Sequence, residues 1–171
     1  MVKTGLCHLY WGDGKGKTTA AMGLALRALG QGLAVSIVQF AKDGRSGELA
    51  PLEQLGAKVW RGRIGTKFPS QMTEEERAEL RAYQSAQLRE ALGSSCDLLI
   101  LDEACAASRW RLVEEELLKQ AVWERPADRE VVLTGRGPAD WMLAAADYST
   151  EMRCEKHPYQ AGITARKGIE F

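Results

Sequence analysis

The sequence predicts a three-layer α/β domain, with a mostly parallel sheet between helices. Three observations carry this reading. Short apolar runs rich in Val, Ile and Leu alternate with helical stretches along the chain, the order that parallel crossovers need. Runs such as AVSIVQF and DLLIL have the near-continuous apolar character of strands buried on both faces. A glycine-rich segment stands between the first apolar run and the first helix. The 171 residues are enough for one core of ordinary size. No repeat, low-complexity tract or linker divides them, so 1–171 reads as a single domain.

Leu6 to Tyr10 is the first strand, and Gly12 to Gly16 is the turn that follows it. Lys17 to Leu29 is a helix rich in Ala and Leu, with Gly30 as its stop. Ala34 to Phe40 is a buried second strand. Ala41 to Ala50 reads as a polar loop, Ala57 to Trp60 as a short strand, and Arg61 to Met72 as an irregular loop. Thr73 and Glu76 have the spacing of a capping box, which starts a helix running to about Leu92, before Gly93. Asp97 to Leu101 is a third buried strand that runs into Asp102 and Glu103. Leu112 to Val122 reads as a helix, Glu130 to Thr134 as a fourth strand, and Ala139 to Ala146 as a last helix. One more short strand is expected near Thr150 to Arg153, followed by an irregular end.

Composition narrows the function classes. Hydrophobic residues at 45% and charged residues at 27% describe an ordered globular chain. Lys plus Arg equals Asp plus Glu, at 23 each, which argues against a protein that grips nucleic acid through its overall field. The opening MVKTGLCHLYWG has no apolar core of signal-peptide length, and no apolar stretch is long enough to span a bilayer. Cys7, Cys96, Cys105 and Cys154 form no Cys-x-x-Cys pair and read as reduced thiols of a cytoplasmic protein. No nucleic-acid or membrane partner is expected.

The strongest motif is Gly12-Asp13-Gly14-Lys15-Gly16-Lys17-Thr18-Thr19. Glycines let the backbone curl so that several N–H groups face one anion, and the helix start adds its dipole. Lys17 brings a point charge to the phosphates, and Thr18 brings a hydroxyl for Mg²⁺. The usual spacing has four residues between the first Gly and Gly-Lys-Thr. Gly12 and Gly16 enclose three, with an additional lysine at Lys15, so this is a short variant of the loop.

A phosphate loop of this kind needs an acid for its metal ion. Asp102 and Glu103 close an apolar strand in the manner of a Walker-B segment, at the strand end that opens on the ligand crevice. Arg136 follows the fourth strand in Thr134-Gly135-Arg136 and reads either as a phosphate contact or as a surface arginine in a turn. Arg27 lies about 15 Å along the first helix from Lys17 and reads as a surface or interface residue. His8 and His157 are isolated, so no zinc or iron site is expected. The tryptophans are scattered and read as core and edge residues. The residues alone are compatible with an ATPase in which Glu103 positions water, or with an ATP sensor that does not turn over.

GDGKGKTTAA, VSIVQFAK with Gly47-Glu48, LLILDE, VVLTGRG and the tail from Glu151-Met152 through Lys156-His157-Pro158 to Gly162 and Gly168-Ile169 resemble the ATP:corrinoid adenosyltransferases of the CobA type. The resemblance covers almost the whole chain. Asp13 stands where the family loop carries Asn. The resemblance implies a RecA-like P-loop fold, a homodimer, and transfer of the 5′-deoxyadenosyl group of ATP to Co(I) of a corrinoid that an electron-donating reductase has reduced, with release of triphosphate. It implies that Gly12, Asp13, Gly14, Lys15, Gly16, Lys17, Thr18, Thr19 and Arg136 bind ATP, and that Lys15 and Lys17 stabilise the leaving triphosphate. Thr18, Glu103 and Asp102 would then hold Mg²⁺, and Phe68 would wall off the lower face of the corrin. Pro69 and Ser70 follow Phe68 where a second aromatic is expected.

Overall fold

The computed structural model describes residues 4–42, 46–63, 65 and 67–170. The loops read over 41–50 and 61–72, and the two chain ends, each include residues outside that set. Among the described residues the strands are β1 (Cys7–Trp11), β2 (Val35–Gln39), β3 (Lys58–Trp60), β4 (Leu98–Asp102), β5 (Glu130–Gly135) and β6 (Tyr148–Glu151). They form one sheet in the order β3-β2-β4-β5-β1-β6, and every pairing is parallel. The expected three-layer α/β architecture is thus present, and the sheet is parallel throughout.

Among the described residues the α-helices are α1 (Lys17–Gly30), α2 (Leu49–Gln54), α3 (Glu74–Gly93), α4 (Ala104–Arg109), α5 (Glu115–Trp123) and α6 (Asp140–Ala145). Along β4, side chains alternate between the two faces of the sheet, and both faces are covered. Leu98 and Ile100 pack with Ala21, Met22 and Ala25 of α1 and Leu49 and Leu52 of α2. Leu99 and Leu101 pack with Leu88 of α3, Leu118 of α5 and Met142 of α6. This double burial explains the continuous apolar runs in the sequence.

Helix ends follow local chemistry. Thr73 Oγ1 accepts from the Glu76 N–H while the Glu76 carboxylate accepts from the Thr73 N–H, which is the expected capping box. Helix α1 runs through Gly30 and stops at Gly32, whose φ of 75° lets Gly32 N–H reach Leu29 O and Leu33 N–H reach Ala28 O. Helix α4 ends in the same pattern with Arg111 at the left-handed position, φ 53°.

Three readings are corrected. The loop over 41–50 gives way to α2 from Leu49; Pro51 falls in the first turn, where its missing N–H has no helical partner to lose. The helix expected from Leu112 starts at Glu115, and α4 precedes it. The last strand sits at Tyr148–Glu151, two residues earlier than expected, because Tyr148 pairs with His8.

Candidate functional site

The carboxyl ends of β1, β2, β4 and β5 come level with one another: Trp11 is in register with Gly135, and Gln39 with Asp102. Parallel strands ending together leave a crevice beyond the sheet. The loop after β1 fills it. Gly12 and Gly16 take φ of 110° and 117°, which side chains with a Cβ resist. The tail after β6 crosses this loop. Gly14 N–H donates to Met152 O at 2.7 Å, and Met152 N–H donates to Trp11 O at 2.7 Å. A Cβ at Gly12 would stand 2.4 Å from Met152 O, and one at Gly14 would stand 2.7 Å from Arg153 O. Two of the loop's glycines are therefore required by the tail that crosses them, independently of any ligand. Asp13 turns its carboxylate to the Cys154 N–H at 3.1 Å, and so fastens the same tail.

Residues 13–19, Phe68, Glu103 and Arg136 line one cavity of about 580 Å³. Gly12 is not among the lining residues and packs against Met152, and Asp102 is fully buried behind the wall, bonded to Thr18 and Lys42 of the lining. Of the candidate ATP, metal and corrinoid residues named from the sequence, Asp13 to Thr19, Phe68, Glu103 and Arg136 share this lining, with Gly12 and Asp102 next to it in the chain. Lys17 Nζ donates to Gly14 O at 2.6 Å, bracing the loop. Burial, and then the neighbouring Arg136 guanidinium, push the Lys17 ammonium below its ordinary pKa. Lys15 Nζ reaches Ile169 O at 3.0 Å. Arg136 is exposed, with Nη2 3.5 Å from Asp13 O.

Asp102 is the centre of a polar knot. Its Oδ1 accepts from Thr18 Oγ1 at 2.8 Å and Thr134 Oγ1 at 2.7 Å. Its Oδ2 accepts from Lys42 Nζ at 2.7 Å and Gln39 Nε2 at 3.2 Å. Burial opposes the charge, but Lys42 and the two hydroxyls outweigh it and hold this carboxyl below the usual range. Glu103 is pushed the other way, first by burial and then by the charge of Asp102. Burial also works against the Lys42 ammonium, yet the carboxylate of Asp102 raises its pKa overall.

Sequence reasoning missed Lys42, Arg109 and Trp110. Ala41 and Glu103 are non-glycine residues in the left-handed region, φ 50° and 60°, and these turns steer Lys42 and Glu103 to the site. Arg109 and Trp110, at the end of α4, form part of the cavity wall. No periodicity marks them, since α4 is a six-residue helix of mostly small residues.

Thr18, Asp102 and Glu103 offer only oxygen donors, which suits Mg²⁺. Among the described residues no three His, Cys, Asp or Glu side chains cluster into a protein-only metal cage. A Mg²⁺ ion here would take further oxygens from nucleotide and water. A second cavity of about 1060 Å³ adjoins the first and shares Thr18, Thr19, Ala41, Lys42, Phe68 and Glu170 as walls. Phe68 is 77% exposed between them, too bare to be a loop anchor.

A sequence model of the family described as "ATP:corrinoid adenosyltransferase BtuR/CobO/CobP" matches residues 3–171. The chain belongs to this family. Among curated relatives, a corrinoid adenosyltransferase of Pseudomonas aeruginosa is 36% identical over 98% of this chain and 84% of its own length. One of Escherichia coli is 36% identical over 98% of this chain and 86% of its own. The corrinoid adenosyltransferase CobA of Salmonella typhimurium is 34% identical with the same coverage. A solved structure titled "T48 deacetylase with substrate" overlaps with a TM-score of 0.29 at 13% identity, too little to bear on this adenosyltransferase fold.

Proposed function

We propose that this adenosyltransferase joins the 5′ carbon of ATP to Co(I) of a reduced corrinoid. The cobalt electron pair forms the Co–C5′ bond, the C5′–O5′ bond breaks, and its electrons leave on triphosphate. The observation that carries the reading is the pair of adjoining cavities: a cation-lined one around the phosphate loop, and a larger one reached across an exposed aromatic. Two substrates have room to meet there.

The loop N–H groups, Lys17 and Lys15 bind the triphosphate and offset its charge as it departs; Arg136 adds to this from the β5 side. Thr18, Asp102 and Glu103 would hold Mg²⁺, which supplies further neutralisation of that leaving group. The nucleophile carries no proton, so no general base is required. Phe68 covers the lower face of the corrin, keeping axial ligands away from cobalt. A homodimer, a separate electron-donating reductase and a cytoplasmic setting go with this reading; the four free thiols are in keeping with a reducing compartment.

The test is an anaerobic assay with chemically reduced cobalamin, Mg²⁺ and ATP, following corrinoid absorbance and phosphate products together. A light-sensitive cobalt–carbon product with one triphosphate per turnover is expected. Orthophosphate release without that product would refute adenosyl transfer and point to hydrolysis.

A further inference from the structure

We propose that Lys42 is a built-in cation that holds the seat between Thr18 and Asp102 in the nucleotide-free protein, so that Mg²⁺ enters only together with ATP. The inference rests on reading Thr18 and Asp102 as the Mg²⁺ seat. Lys42 Nζ stands 2.7 Å from Asp102 Oδ2 and 3.1 Å from Thr18 Oγ1, so one ammonium bridges both oxygens. Its hydrogens meet the same lone pairs that a small hard cation would use.

The buried carboxylate explains why something must sit there. Asp102 has no exposed side-chain surface, and an uncompensated charge in that position is costly. Among the described residues Lys42 is the ion-pair partner of Asp102. The other lysine nearby, Lys17, is turned to Gly14 O.

Lys42 is also placed to leave. It follows a strained left-handed residue, Ala41, beyond the end of β2, and its side chain keeps 27% of its surface in solvent while Asp102 keeps none. Mg²⁺ alone loses its water reluctantly and would face the ammonium across a few ångströms. Mg²⁺ carried by a triphosphate brings phosphate oxygens as ligands and negative charge that can accept the displaced ammonium. Lys42 lines both cavities, so after displacement it still faces the phosphate side.

Mn²⁺ serves as the probe, with free Mn²⁺ read by electron paramagnetic resonance in wild type and in Lys42→Met, with and without ATP. Without nucleotide, Lys42→Met is expected to bind Mn²⁺ at least about tenfold more tightly than wild type. With ATP the difference should narrow. If wild type binds Mn²⁺ with ATP but Lys42→Met gains nothing in its absence, the Lys42 inference fails while the seat stands. If wild type binds no Mn²⁺ even with ATP, the seat itself is wrong. Lys42→Gln, which keeps a donor, guards against misfolding and should show a gain in the same direction. Should both variants unfold without metal, recovery of the far-ultraviolet dichroism on adding Mn²⁺ would support the assignment, and no recovery would overturn it.

Discussion

Replacing Gly14 by Ala isolates one contact on which the site depends. Gly14 does not have a positive φ, so the backbone itself would accept alanine. The obstacle is the tail: the added methyl would meet Arg153 O at 2.7 Å and Met152 O at 2.8 Å, both rigid backbone atoms. Relief requires the loop and tail to part by about half an ångström, an overpacking cost of about 1–3 kcal/mol. The 2.7 Å bond from Gly14 N–H to Met152 O is then stretched, for about 1 kcal/mol more. The expected loss is about 2–4 kcal/mol, a large share of the stability of an ordinary domain. Gly23→Ala is the matched control. Gly23 lies inside α1 with nothing within 4 Å of where the new methyl would stand, so alanine there should stabilise by about 0.5–1 kcal/mol. Urea unfolding of the two variants beside wild type is the assay, with ATP affinity measured in parallel. A Gly14→Ala protein as stable as wild type would refute the claim that the tail clamps the loop.

Other substitutions probe separate links. Lys17→Ala removes the charge that braces the loop, and turnover in the anaerobic assay should fall by about 100-fold or more; near-normal turnover would remove Lys17 from the leaving-group role. Phe68→Ala should leave the urea midpoint almost unchanged, since Phe68 is 77% exposed, yet slow adenosylation more than it weakens ATP binding; equal losses in both would make it a general structural residue. Arg111→Gly should stabilise by about 1 kcal/mol, because glycine takes the φ of 53° after α4 without a Cβ penalty; a destabilised variant would mean that the Arg111 side chain contributes more than its backbone costs. Burial pushes the Cys7 thiol up from 9.0 to about 11. Between those pH values the unfolded chain gives up this proton and the folded chain keeps it, so stability falls as pH rises, by about 3 kcal/mol over the window. Cys7→Ala should flatten that part of the stability–pH curve; an identical slope would show that Cys7 is not its source.

The parts of the site legible in the sequence are those where local chemistry and fold agree. The loop from Gly12 to Thr19 announces itself because its glycines and Gly-Lys-Thr-Thr stand between a strand and a helix start, a combination of residue types and spacing that few other turns carry. Asp102 and Glu103 are readable because an apolar run must end at a strand terminus. Helix α3 is readable from Thr73 and Glu76, a cap written in four residues. Lys42 is hidden for the opposite reason. Its position depends on a left-handed turn at Ala41, which no residue preference predicts, and on β2 lying beside β4, which only the strand order reveals. Helix α4 is hidden because ACAASR has no apolar stripe; it is held by close approach to β5, where a Cβ on Gly135 would stand 2.7 Å from that of Cys105. Trp110 reads as one more scattered aromatic until α4 carries it to the cavity wall.

The crossing of the tail over the phosphate loop has a consequence for how the protein is made. The Gly-Lys motif leaves the ribosome early, but its Gly14 N–H partner is Met152, 138 residues later in the numbering. A nascent or proteolytically clipped chain that ends before β6 carries the whole motif and lacks the backbone against which it is shaped. On the proposed reading of the loop as the ATP site, nucleotide retention would report on the far end of the polypeptide, and a nucleotide column would separate molecules that carry the tail from fragments that an antibody to the first residues could not tell apart.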